Sequence, residues 1–322
     1  MERVTETGAQ TMPERHERSQ WIAFAVMVAA LLAAPFFVYP LFVMQALCFA
    51  LFALAFNLLI GYVGLLSFGH ALYFGWASYL SAYSAKAWGF TPELAILTGT
   101  LTAAICGLVA GSLAIRRQGI YFAMITLALA QMMFFVALQA KFTGGEDGIQ
   151  AVPRGYLFGV IDLRNDMAMY AVVLVVFLFG FLFIHRIIHS PFGEVLKAIR
   201  ENEPRAISLG YKTDRYKLIA FVLSATLAGL AGSTKAIVLQ IASLTDVNWP
   251  MSGEVVLMSL VGGLGTIFGP IVGAIVILTM QYKLAPVGEW VLVIQGVIFV
   301  ACVLLFRRGI VGEIAHKLKI RL

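Results

Sequence analysis

Nine apolar blocks, each close to the length of a bilayer crossing, follow one another along the chain. They fall at 21–39, 41–60, 65–85, 94–114, 120–140, 168–188, 218–242, 254–282 and 289–306. A hydrocarbon core about 30 Å thick takes about 20 apolar residues as helix, and backbone polar groups in lipid must be satisfied internally, which a helix does for itself. Most blocks carry no acidic or basic side chain through their centres, and no polar stretch between them is long enough for a soluble domain. The pattern predicts an all-α polytopic integral membrane protein with one membrane domain over 21–306. Composition agrees: 61% of residues are hydrophobic and 12% charged, against about 45–50% and 25% in a soluble domain.

The net charge of +6 and a pI near 9.3 invite a nucleic-acid reading. The basic residues, however, sit in short links between apolar blocks rather than in one patch interleaved with aromatics, which is positive-inside bias. A membrane lipid environment is expected and a nucleic-acid partner is not. Cys48, Cys106 and Cys302 each lie alone inside an apolar block without CxxC spacing, so they read as small core residues rather than metal ligands or a disulfide. Residues 1–20 form a polar leader. The block after it exceeds the apolar core of about 7–15 residues in a signal peptide and lacks a small-residue cleavage site, so it is read as a retained transmembrane helix.

Loop charge sets the expected orientation. Lys197, Arg200, Arg205, Lys212, Arg215 and Lys217 crowd residues 190–217, Arg116 and Arg117 follow the fourth block, and a basic tail over 307–322 holds Arg307, Arg308, Lys317, Lys319 and Arg321. All should be cytoplasmic. The segment 141–167, with Glu146, Asp147, Asp162 and Asp166 against three basic residues, should be external. Six crossings from a cytoplasmic N-terminus satisfy every one of these assignments up to Lys217, but the three remaining blocks would leave the basic tail outside.

A break restores parity. Within 254–282 the stretch "VGGLGTIFGP" places Gly262, Gly263, Gly265 and Gly269 before Pro270. The glycines weaken a helix, and a proline lacking its N–H is best placed in the first turn of a new one. Two segments separated here, crossing fully or dipping as a re-entrant pair, give about ten helices with a glycine-rich break in the C-terminal half. Irregular backbone at membrane depth is tolerated where it is buried in protein or lines a water-filled cavity. The rival reading of any single glycine is close helix packing. No dinucleotide fingerprint is present, because the spacing is G-x-G-x-x-x-G and no strand precedes it.

A second loose stretch, "GYVGLLSFGH" at 61–70, shares a G-x-x-G start and an F-G end with the first. Helix N-termini at such breaks offer free N–H groups and the positive end of the helix dipole to an anionic substrate group. The candidate translocation path is therefore Ser67, His70, Gly262, Gly263, Gly265, Thr266 and Gly269. His70 is read either as a donor or protonatable group or as a neutral histidine satisfied by a neighbouring helix.

Between the sixth and seventh blocks, Val195, Leu196, Ile199, Ile207 and Leu209 outline a short amphipathic helix that breaks near Pro204 and stops at Gly210. Such an element lies on lipid or docks into a partner's groove. Glu194, Glu201 and Glu203 among its basic residues match an anionic bilayer poorly, which favours protein. No G-x-x-x-x-G-K-[ST] loop is present to cradle ATP phosphates, so nucleotide hydrolysis would belong to other chains.

Taken with "GYVGLLSFGHALYFGWASY" and "GEVVLMSLVGGLGTIFGPIVGAIVI", the segment "SPFGEVLKAIRENEPRAISLGYKTDRYKLIAFVLSATLAGLAG" resembles its counterpart in LivM-type permeases of the branched-chain amino-acid ABC importer family, over about residues 41–312. The resemblance implies about ten helices, a second LivH-like permease subunit, two cytoplasmic ABC ATPase subunits and a periplasmic substrate-binding protein. It also implies that Glu201, Ala206 and Gly210, with Arg205 beside them, belong to the loop that couples to the ATPases. Pro204 interrupts the helix where many relatives continue. The expected function is a permease subunit of an ATP-driven importer for branched-chain or related amino acids, in a bacterial inner membrane, without catalytic residues, metal or cofactor. The alternatives are an ion-coupled secondary transporter, which usually places ionisable residues within its helices, and an integral-membrane enzyme, for which the five scattered histidines make no site.

Overall fold

The computed structural model describes residues 12–305 and 309–317, so the expectations for residues 1–11, Arg307, Arg308, Lys319 and Arg321 lie outside the described residues. In chain order the helices are Met12–Phe37 (α1), Pro40–Asn57 (α2), His70–Ala87 (α3), Pro92–Ala114 (α4), Ile120–Gln139 (α5), Asp166–Ile188 (α6), Pro191–Glu201 (α7), Glu203–Ser208 (α8), Thr213–Leu239 (α9), Trp249–Gly262 (α10), Gly269–Leu284 (α11), Val291–Leu305 (α12) and Gly309–Lys317 (α13). Leu58–Val63 continues α2 as a π-helical turn. Among the described residues, strand content is four two-residue pieces. Pro40 and Pro92 occupy first turns, where a missing N–H leaves nothing unpaired. Asn165 caps α6 by accepting from the Met167 amide at 3.0 Å.

Among the described residues, five helices are long and apolar enough to cross a membrane: Pro40–Val63, Pro92–Ala114, Ile120–Gln139, Asp166–Ile188 and Thr213–Leu239. Shorter apolar helices cover Trp21–Phe37, Gly269–Leu284 and Val293–Cys302. The bundle is inverted relative to a soluble one. On α4 the small residues Ala95, Gly99, Ala103, Gly107, Ala110 and Gly111 are buried, while Leu94, Leu97, Leu101, Ile105 and Leu108 face outward. Large apolar side chains on the outside and small ones at the helix contacts are what lipid as solvent selects.

The centre is α2 with α9. Apolar on every side, α2 is almost wholly buried, as expected of a core helix, and α9 packs on α2, α3 and α4. Hydroxyls join this core: Ser233 Oγ donates to the Ala77 carbonyl at 3.3 Å, and Ser84 pairs with Thr98 at 3.0 Å. At one end of the bundle, Ile149 and Gln150 of the acidic segment pair antiparallel with Ala242 and Ile241. Lys235 binds both oxygens of Asp246 there at 2.6 Å, with both side chains buried. The basic segment 190–217 occupies the opposite end.

The block at 254–282 divides as the glycines require. A Cβ on Gly262 would overlap the Gly269 carbonyl, and one on Gly273 would overlap that of Met258. Residue numbers that rise on one helix as they fall on the other mean that α10 and α11 form a tight antiparallel hairpin.

Several details differ from expectation, α9 and α10 among them, which begin at Thr213 and Trp249 rather than at 218 and 254. The third block begins as helix at His70 rather than 65, because Leu65 and Leu66 follow Gly64 in its left-handed conformation, φ +82°. The helix of the first apolar block begins at Met12, inside the polar leader. The break near Pro204 falls at Asn202: Asn202 takes φ −158° and caps α8 by accepting from the Arg205 amide at 3.1 Å, and Pro204 stands in the first turn of α8, where its ring is accommodated. Finally, part of the basic tail is helical, and Gly309 at the start of α13 abuts the backbone of Gly262 and Gly263.

Candidate functional site

The two glycine stretches, distant in sequence, meet at the end of α2. Asn57 is buried there, its amide nitrogen donating to the Thr266 carbonyl at 2.9 Å and its oxygen accepting from the Gly265 amide at 3.0 Å. It thus pairs with the break as a neighbouring strand would, satisfying two backbone groups that no helix serves. Gly61 lies one turn further on, where a Cβ would meet both the Asn57 carboxamide and, at 2.8 Å, the Gly265 nitrogen. The approach is possible only without a side chain. Within the break, Thr266 Oγ1 donates to the Gly263 carbonyl at 2.8 Å and accepts from the Gly269 amide at 3.1 Å, which folds residues 263–269 into a closed turn. Gly263 and Gly265 hold φ +124° and +75°.

The basic segment is anchored on this junction. Leu196 and Ile199 of α7 are buried, and α7 packs on the π-turn. Arg200 donates from Nη1 to the Gly61 carbonyl, its stem beside Gly64 and its guanidinium beside Gly265. Across the kink at Asn202, Glu203 binds Lys217 of α9 through one oxygen and accepts from Gln118 at 3.0 Å through the other. Lys217, a loop cation by sequence, is buried.

Gly262, Gly263, Gly265, Thr266 and Gly269 are therefore brought together, with Gly265 and Thr266 half-buried and the others buried. Ser67 and His70 are not part of that cluster. Ser67 is buried and accepts from the Gly69 amide at 3.2 Å. His70, also buried, has Nε2 at 2.8 Å from Ser224 Oγ among the rings of Phe56, Tyr73 and Phe221, while its Nδ1 has no partner. Of the residues on the basic segment, Glu201, Arg205 and Gly210 are exposed, whereas Ala206 is buried. Gly210, at φ +88°, closes α8: its amide donates to the Ile207 carbonyl at 2.9 Å and that of Tyr211 to Ala206 at 3.2 Å, the paired bonds of a Schellman motif. Ile207, Leu209 and Tyr211 remain exposed.

Sequence reasoning missed Asn57, Arg200 as a contact, and the Glu203–Lys217 pair. A carboxamide deep in an apolar block was the available signal for Asn57, which shares its block with Gln45.

The described residues thus define a polytopic integral membrane protein whose glycine-rich breaks adjoin an anchored amphipathic segment. The chain belongs to the family of permease components of branched-chain amino acid transport systems, which matches residues 38–303, as its motifs indicated. It is 25% identical over 296 residues, 85% of this chain and 70% of the relative, to the high-affinity branched-chain amino acid transport system permease protein LivM of Escherichia coli (strain K12). It is 24% identical over 300 residues to LivM of Salmonella typhimurium, covering 86% of this chain and 71% of that one. The ribose import permease protein RbsC of Bacillus subtilis (strain 168) is 31% identical over 202 residues, 56% of this chain and 58% of its own length. No solved structure matches. These relatives are transport components rather than enzymes.

Proposed function

We propose that this chain is one of two membrane permeases in an ATP-driven importer for branched-chain or related amino acids. Its expected partners are a LivH-like second permease, two cytoplasmic ATPase subunits and a periplasmic substrate-binding protein. The observation that carries the reading is the two-sidedness of residues 190–217. Leu196, Ile199 and Ala206 face the bundle, while Ile207, Leu209 and Tyr211 form an apolar exposed surface edged by Glu201 and Arg205. A segment held on one face and bare on the other suits docking by a second protein. In this reading the basic end is cytoplasmic, both termini lie on that side of a bacterial inner membrane, and α1 to α6 with α9 to α12 make ten membrane segments in one permease domain over 21–306. The glycine junction is assigned to the translocation path together with Ser67 and His70, which lie outside the junction.

The test is co-expression of the chain with the ATPase and permease genes that neighbour its own. The ATPase should co-purify with the wild-type chain, and Leu209→Asp should abolish that association while leaving membrane insertion intact. Unchanged co-purification would withdraw the docking surface. Thermal-shift titration of the neighbouring binding protein with L-leucine, L-valine and urea would assign the substrate class.

A further inference from the structure

We propose that Arg200 is the positioning residue through which movement of the basic segment reaches both glycine stretches at once; this rests on the permease reading above. In the π-turn Leu58–Val63 the backbone is wider than an α-helix, and such turns concentrate at functional sites. The carbonyl of Gly61 in that turn is taken by Arg200 Nη1. A Cβ built on Gly64 would lie 3.2 Å from Arg200 Cγ, and one on Gly265 would lie 3.3 Å from Nη1. One side chain therefore spans the end of α2 and the α10–α11 turn, which Asn57 already joins to each other. The planar guanidinium, with five donors in a fixed fork, can address two backbone segments together in a way that an ammonium or an apolar chain cannot.

The position of Arg200 in α7 completes the argument. It stands in the last turn, with Leu196 and Ile199 seated below it and the kink at Asn202 immediately after. On the far side of the kink, Glu203 ties α8 to Lys217 and Gln118. The segment thus has two anchors, one to α2 and the break and one to α9 and the α4–α5 link, with the kink at Asn202 between them. A push on the exposed face of α8 either bends the chain at Asn202 or moves the Arg200 anchor, and with it both glycine turns.

The experiment uses the whole complex, co-purified with its partners and reconstituted in liposomes with an equimolar mixture of the proteinogenic amino acids. Arg200→Met should assemble as wild type and keep basal ATPase, while stimulation by the loaded binding protein and transport per ATP each fall at least fivefold. Arg200→Lys, which keeps one donor to Gly61, should recover part of the loss. Stimulation and transport by Arg200→Met within twofold of wild type would overturn the proposal. Should Arg200→Met fail to assemble, hydrogen exchange on the wild-type complex decides. Residues 61–64 and 263–269 should change protection together with 196–201 on trapping with ATP, and a change confined to 196–201 would overturn the proposal. A wild-type complex lacking ATPase association would overturn the permease reading itself, a different result from coupling that survives the loss of Arg200.

Discussion

Asn57 shows how much one buried carboxamide does in this bundle. Its two bonds hold a turn that otherwise has only Thr266 to close it, and a leucine there would leave the Gly265 N–H and the Thr266 carbonyl unpaired. An unsatisfied group costs about 1–3 kcal/mol when fully buried and less where, as at Gly265 and Thr266, it is half-buried, so Asn57→Leu is expected to lower stability by about 1–3 kcal/mol, read as a fall in the thermal midpoint of the detergent-solubilised protein. Glu203 is the second such case. Removing one partner of a buried pair costs about 3–5 kcal/mol, and because Glu203 is itself 17% exposed the low end applies to Glu203→Gln. The double variant Glu203→Gln, Lys217→Met should recover most of the loss in the same assay, since no buried ammonium remains unpaired. Recovery of less than half would show that the pair does more than neutralise Lys217.

Elements were legible in the sequence where composition alone defines them. The blocks at 94–114, 120–140 and 168–188 match α4, α5 and α6 within two residues at either end, and the break at Gly262 to Gly269 falls where four glycines and a proline leave the backbone no helical continuation. The partners of the break were not legible. The Asn57 bonds span 208 and 209 residues and the Arg200 bond spans 139, and no periodicity encodes a pairing at that separation. Lys217 misled for a related reason: a lysine between a polar segment and an apolar block reads as solvated, and only packing of α9 shows it enclosed. At this scale Gly210→Val is the informative change. With φ +88° a β-branched residue is strained, while nothing lies within 4 Å of the added Cβ, so the turn suffers and the packing does not. Insertion should be normal and ATPase stimulation reduced; normal stimulation would remove the α8 turn from the coupling surface.

For the whole molecule the organising fact is that charge and breaks share one end of the bundle. Reporter fusions after Arg117 and within 201–217 should read cytoplasmic, and one near Asp147 periplasmic; a periplasmic signal at Arg117 would reverse the proposed orientation. Solvent access separates the candidate path residues in the conformation described. A cysteine at half-buried Thr266 should react with a water-soluble thiol reagent, and cysteines at buried Ser67 and His70 should not. Reaction at Ser67 and His70 only after ATP is added would identify an opened state of the same path.

The packing of Gly309 on Gly262 and Gly263 has a consequence for the order of synthesis. Asn57 emerges from the ribosome early, its partners in the break follow some 200 residues later, and the backbone that seals them arrives later still. At about 5–20 residues per second, the interval from Asn57 to Gly309 is between about 13 and 50 s. The Gly61 carbonyl waits only for Arg200, 139 residues on, whereas the Asn57 carboxamide waits for the break, 208 and 209 residues on, and the backbone of Gly262 and Gly263 stays uncovered until Gly309 arrives.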